Sequence, residues 1–128
     1  MGNLDNLYKH WLESENGKGT TYEETTIDAL LEKDVKFAGF VRFSGRINEI
    51  KNFQTDNNIF YFTLESEKTG GKIIARGFFR DSDYLMYQAP FSVSGDKVTI
   101  EGRYQRNING LRIDSFYNHD LMERLEGG

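Results

Sequence analysis

Cysteine is absent from the chain, which removes a disulfide framework and a thiolate metal site together and fits a cytoplasmic protein. Histidine is nearly absent. His10 and His119 stand near opposite ends, too dispersed for imidazole ligation of a metal, so neither a metal nor a cofactor is expected. No apolar run approaches the roughly 20 residues of a membrane-spanning helix. The opening MGNLDNLYK lacks the charged-then-apolar order of a secretion signal, and Asn6 stands where myristoylation takes Ser or Thr. Catalytic signatures are missing as well. The central region holds no histidine to act as general base, there is no thiol nucleophile, and no GxxxxGK[ST] phosphate loop occurs. The carboxylates Asp56, Glu65, Asp81 and Asp83 are spread over loops and edges. A binding module is expected, not an enzyme.

What the chain does have is an uneven charge. Its net charge is −4, but residues 1–34 carry 3 basic against 8 acidic side chains (−5), residues 35–116 carry 12 against 9 (+3), and residues 117–128 carry 1 against 3 (−2). A mildly basic centre lies between acidic ends, an asymmetry that bears on partners more than on fold.

The hydrophobic pattern divides the chain at the same places. Leu4, Leu7, Tyr8, Trp11 and Leu12 fall on one stripe of a short helix. At that spacing Trp11 is a core or subunit contact, not a base-stacking residue. Thr25-x-x-Asp28 resembles a capping arrangement ahead of Ile27, Leu30 and Leu31, which predicts a second short helix. Residues 1–34 are therefore read as an acidic helical extension that packs on the rest of the chain or on a partner. A homo-oligomer or protein contact would run through Leu4, Leu7, Tyr8 and Trp11.

From residue 35 the period becomes two. Val41 and Phe43 share a face, Gly45 bends the strand, and Ile47 resumes the alternation. Phe60, Phe62 and Leu64 alternate with Tyr61, Thr63 and Glu65, and the turn residues Thr69-Gly70-Gly71 lead to a third strand. There the wholly apolar set Ile73, Ala75, Gly77 and Phe79 is assigned inward, which turns Ile74, Arg76, Phe78 and Arg80 outward. A brief helix is predicted after Asp81, ending at Pro90. Val98, Ile100, Gly102 and Tyr104 then alternate with Thr99, Glu101 and Arg103, and the Asn-Gly of residues 107–110 makes a hairpin to Leu111, Ile113 and Ser115. Residues 117–128 are read as a short helical tail.

Five strands, a glycine bend in the first and a helical insertion between the third and fourth predict an all-β fold with short helices. The specific expectation is a five-stranded OB-fold Greek-key barrel over residues 35–116 with an N-terminal helical extension. Gly45-x-Ile47, Phe60-Tyr61-Phe62-Thr63-Leu64, Phe79-Arg80, Gly95-x-x-Val98 and the Asn-Gly hairpin together resemble the OB-fold nucleic-acid-binding domain of the exonuclease VII large subunit. They are similar, more distantly, to anticodon-binding-type OB domains. Arg46 stands where the family usually has an acidic residue, and no nuclease domain or coiled coil accompanies the barrel in these residues, so the resemblance implies binding without exonuclease activity.

A single strand needs cations for its phosphates and flat side chains for its bases. Arg76, Phe78 and Arg80 with Tyr61 and Thr63 supply both on strands two and three. Arg42, Arg46, Lys51 and Phe53 extend that surface from strand one and its loop, and Arg106, Asn107 and Arg112 close it from the last hairpin. The function expected is sequence-tolerant binding of single-stranded DNA. Two alternatives stand beside it, an RNA-binding OB domain and a protein-interaction or inhibitor module.

Overall fold

The structure, a computed structural model, describes residues 2–16, 21–32, 38–53, 59–78, 87–105 and 110–127. Its organising element is β2 (Ala38–Phe53), which changes partner along its length. Residues 38–46 pair antiparallel with β5 (Lys97–Gln105), while residues 46–53 pair antiparallel with β3 (Ile59–Glu65). The hand-over lies at the glycine bend, and the register shifts between Ile47 and Glu49. Glycine allows close approach there: a Cβ on Gly45 would stand 2.6 Å from Ile27 Cδ1 and 3.2 Å from the Glu65 carbonyl oxygen, so both neighbours would have to shift.

A hairpin joins β3 to β4 (Lys72–Phe78), with Gly70 at φ 78° in its turn. β4 then pairs in parallel with β6 (Gly110–Asn118), and β6 pairs antiparallel with β5. The circuit β2–β3–β4–β6–β5–β2 closes a five-stranded barrel. A sixth, two-residue strand, β1 (Glu23–Glu24), lies parallel to the free edge of β2, where Thr25 N donates to Arg42 O at 2.9 Å.

The period-2 pattern sets the core except at the end of β6, where the register with β5 shifts between Glu101 and Gly102 and Phe116, not Ser115, turns inward after Ile113. Val41, Phe43, Ile47, Phe60, Phe62, Leu64, Ile73, Ala75, Val98, Ile100, Tyr104, Leu111, Ile113 and Phe116 are all buried inside the barrel. Each large side chain in this set contributes roughly 1.5–3 kcal/mol by leaving water. Helix α2 (Ile27–Glu32) adds Ile27 and Leu30 to the same core. Thr26, not Thr25, is its cap, accepting from Ala29 N at 3.1 Å. Asp28 ties α2 to the β3–β4 hairpin by accepting from Thr69 Oγ1 and from Ser66 Oγ, and these bonds hold its carboxyl below the ordinary aspartate range.

Helices α1 (Gly2–Asn16) and α3 (His119–Gly127) pack outside the barrel on β5 and β6. Trp11 is fully buried and its Nε1 donates to Ser115 Oγ at 2.7 Å. Tyr8 stacks near Trp11 and meets Tyr117 and His119 at 5.2 and 4.9 Å between ring centroids. Of the two readings of Trp11, core or subunit contact, the structure shows the first, because the barrel itself takes up the indole.

The same overlay explains a second difference. Thr99 and Glu101 turn away from the core as their alternation predicts, yet both are buried, since this face lies beneath other elements instead of water. Asn118 caps α3 through Leu121 N at 2.8 Å, and its Nδ2 reaches Ser92 Oγ and Asp96 Oδ2 at 2.8 and 2.9 Å. Among the described residues no helix is long and apolar enough to cross a membrane.

Candidate functional site

Register carries one row of outward positions around the barrel. Lys51 lies opposite Tyr61 on β3, Tyr61 opposite Arg76 on β4, and Arg76 opposite Arg112 on β6. Arg112 in turn lies opposite Arg103 on β5, which faces Phe40 on β2. Adjacent strands run about 4.8 Å apart, so three guanidinium-bearing side chains stand on neighbouring strands at one level. They border a cleft of about 330 Å³ whose walls also include Tyr61, Ile74 and Gln105. Arg76, Arg103 and Arg112 are exposed, and Ile74, two residues along β4 from Arg76, is 52 % exposed on the same cleft.

Like charges in register on adjacent strands oppose pairing by up to about 1 kcal/mol. An anion seated in the cleft turns their mutual repulsion into shared attraction. Asp114 approaches the row, with Oδ1 4.0 Å from Arg103 Nη2. A tyrosine ring at one end, guanidinium groups across the middle and an apolar floor suit a ligand with alternating anionic and flat aromatic parts.

Other residues predicted for the site are placed differently. Arg42 is largely buried and donates to Glu101 Oε2 at 2.7 Å and Glu24 Oε1 at 2.9 Å. Burial works against its charge, but the bonds to Glu24 and Glu101 outweigh it and raise its pKa further. It clamps β1, β2 and β5 together. Arg46 likewise joins elements, with Nε 2.7 Å from Glu67 Oε1 and Nη1 donating to Gly95 O at 2.9 Å. These two arginines stand away from the cleft.

Lys51 is exposed at the Tyr61 end of the row, 3.6 Å from Glu49, and Thr63 is half-buried one step along β3 from Tyr61. The side chains of Phe53 and Phe78, and all of Arg80, Arg106 and Asn107, lie outside the described residues. So does the side chain of Leu4. The structure thus brings together Tyr61, Arg76 and Arg112, with Lys51 beside them. It adds Arg103, Gln105 and Phe40, which the sequence reading missed. Arg103 had the outward parity to be noticed, but its nearness to Arg76 comes from the parallel β4–β6 pairing, which no local pattern announces.

No family model matches the chain, and no curated protein matches it in sequence. Solved structures do match in shape. An OBody bound to hen egg-white lysozyme superposes with a TM-score of 0.59 at 11 % identity, covering 77 % of this chain and 96 % of that one. The Stn1–Ten1 complex of S. pombe gives 0.51 at 15 % identity over 69 % of this chain and 66 % of that chain. Yeast Stn1 and Ten1 give 0.53 at 10 % identity over 83 % and 68 %. The fold is an OB barrel. At these identities the likeness concerns the fold alone, so the function of this OB barrel has to be argued from its own side chains.

Proposed function

We propose that this OB barrel binds single-stranded DNA with little sequence preference, as a binding module without catalytic activity. The observation that carries the reading is the in-register row Tyr61–Arg76–Arg112–Arg103 around one open cleft. In this arrangement the guanidinium groups take successive phosphates and the Tyr61 ring takes a base. Phosphate contacts and stacking carry no base code, which makes the binding sequence-tolerant. Lys51 extends the cationic path past Tyr61. The Phe-Tyr-Phe-Thr-Leu segment, through which the chain resembles the exonuclease VII domain, is the strand that supplies Tyr61.

A protein partner is the second reading, and a separate surface favours it. Tyr87, Phe91, Val93 and Leu125 are each more than half exposed. One of the structural neighbours is an OBody bound to lysozyme, so a barrel of this shape is compatible with holding a protein.

Fluorescence anisotropy with labelled oligo-dT, oligo-U and a duplex, at low and moderate salt, separates these readings. Tight, salt-sensitive binding of dT with weaker duplex binding is the expected result. Tyr61→Ala should weaken it by about 5- to 150-fold, the worth of one stacked base. A preference for U moves the ligand to RNA. Absence of binding to any of the three at low salt overturns the nucleic-acid reading and leaves the apolar surface as the leading site.

A further inference from the structure

The arginine row does not end at the cleft. Beyond Arg103 it meets Phe40, which is 44 % exposed on a strand whose Val41, Phe43 and Ile47 turn inward. The Arg103 guanidinium carbon lies 5.8 Å from the Phe40 ring centroid. Tyr22, in the segment before β1, meets the same ring edge-on at 6.0 Å. The Tyr22 hydroxyl donates to Asp114 Oδ2 at 2.9 Å, and the other oxygen of Asp114 is the one that approaches Arg103. Tyr22, Phe40, Arg103 and Asp114 thus close a circuit that fixes an exposed aromatic ring beside a cation at the rim of the cleft. A separation of 5.8 Å is near the outer limit of a cation–π contact, so the ring contributes little that a phosphate in the cleft would have to replace.

We infer that Phe40, with Tyr22 and Arg103, forms a second base-stacking station for single-stranded nucleic acid, at the opposite end of the arginine row from Tyr61. The inference rests on the reading of the cleft as a nucleic-acid site. Four strand spacings separate Tyr61 from Phe40 around the barrel, about 19 Å along the curved sheet. Stacked nucleotides advance about 3.4 Å along a strand, so the two stations hold bases that are not neighbours, with the intervening phosphates on the three arginines. A short oligonucleotide reaches the cleft and Tyr61. A longer one engages both stations. The segment carrying Tyr22 then contributes to the ligand surface, which gives part of the acidic extension a role in binding the strand and not only in packing.

The test compares oligo-dT of about 4 and about 12 nucleotides, both within the usual site size of an OB fold, by anisotropy on the full chain. Phe40→Ala should weaken the longer oligonucleotide at least about five-fold and leave the shorter one nearly unchanged, while Phe40→Trp keeps wild-type affinity for both. Tyr61→Ala should weaken both lengths. Should Phe40→Ala fail to fold, Phe40→Leu preserves the apolar bulk without a stacking face, and it must show the same length-dependent loss. If the Phe40 variants bind the longer strand as the wild type does while Tyr61→Ala still weakens it, the second station is wrong and the cleft stands. If neither Tyr61→Ala nor Arg76→Gln affects binding, or no strand binds at all, the cleft reading fails and this inference falls with it.

Discussion

Arg42 holds its guanidinium against the buried carboxylate of Glu101, whereas Arg76 points from the neighbouring wall of the barrel into an open cleft. Both occupy outward positions on strands, so the residue type and its parity do not separate them. Their partners do. Removing the Arg42 charge leaves Glu101 buried without its main counter-ion, a change that costs about 3 kcal/mol or more. Arg42→Met should therefore lower the free energy of unfolding by that order. Arg76→Met removes one of several like charges in register and should leave stability within about 0.5 kcal/mol of wild type while weakening oligonucleotide binding. Urea denaturation of the two variants, with anisotropy on the folded ones, reads both effects. Comparable unfolding by both substitutions would make the arginine row a structural feature. Gly102 belongs to this scale too. A Cβ there would fall 2.2 Å from the Arg112 carbonyl oxygen, a backbone atom that cannot step aside as the Ile27 side chain can at Gly45.

The docking of α1 and α3 on the barrel brings a titratable group under cover. His119 Nε2 lies 2.6 Å from Thr99 Oγ1, and the rings of Tyr8 and Tyr117 stand 4.9 and 5.0 Å from the imidazole. Burial holds its pKa below the ordinary 6.5, Lys97 pushes the same way and Asp120 opposes them. The unfolded chain accordingly takes up a proton near 6.5 that the folded chain refuses. Stability from this group is intact above that pH and is lost as the pH falls from it toward the lower folded value. Comparing unfolding free energies at about pH 7.5 and about pH 5.5 should show a loss in the wild type and a smaller one in His119→Gln. An unchanged difference between the two pH values would place the sensitivity elsewhere. Asp96 acts in a different window. Although its burial raises the pKa, hydrogen bonds from Arg124, Val93 N and Asn118 outweigh it and keep the carboxyl below 3.8, so that contribution is lost only in stronger acid.

The elements also show what was legible before the structure. Five barrel strands could be read from alternation, because each has one face in the core and one outside it, and the bend at Gly45 was visible as a glycine inside such a run; the parity of the last strand failed after Ile113, where the register shift turns Phe116 inward. Tyr61 and Arg76 followed from the same parity. The two-residue β1 was too short to alternate. Burial of Thr99 and Glu101 was not legible, since it depends on elements distant in sequence. Arg103 and Phe40 joined the site through pairings between β4 and β6 and between β5 and β2, which connect residues far apart along the chain.

Taken as a whole, the molecule carries a negative charge that works against its proposed ligand. The net charge of −4 repels a polyanion at long range, so steering contributes little and affinity must come from contacts inside the cleft. At about 0.1 M salt the Debye length is near 10 Å, which screens exposed acidic side chains more than a phosphate seated between arginines. Binding should therefore fall with salt according to the number of phosphates held locally. With Arg76, Arg103 and Arg112 each neutralising one phosphate, a plot of log affinity against log salt should have a slope of about −2, from roughly −0.7 per contact on single strands. Arg76→Gln and Arg103→Gln should each make the slope shallower by about 0.7. Lys51→Gln should do the same if the strand continues past Tyr61. A slope near zero, or one that the arginine variants leave unchanged, would mean that phosphates are not what the barrel grips, and the exposed surface around Tyr87 and Phe91 would then carry the function.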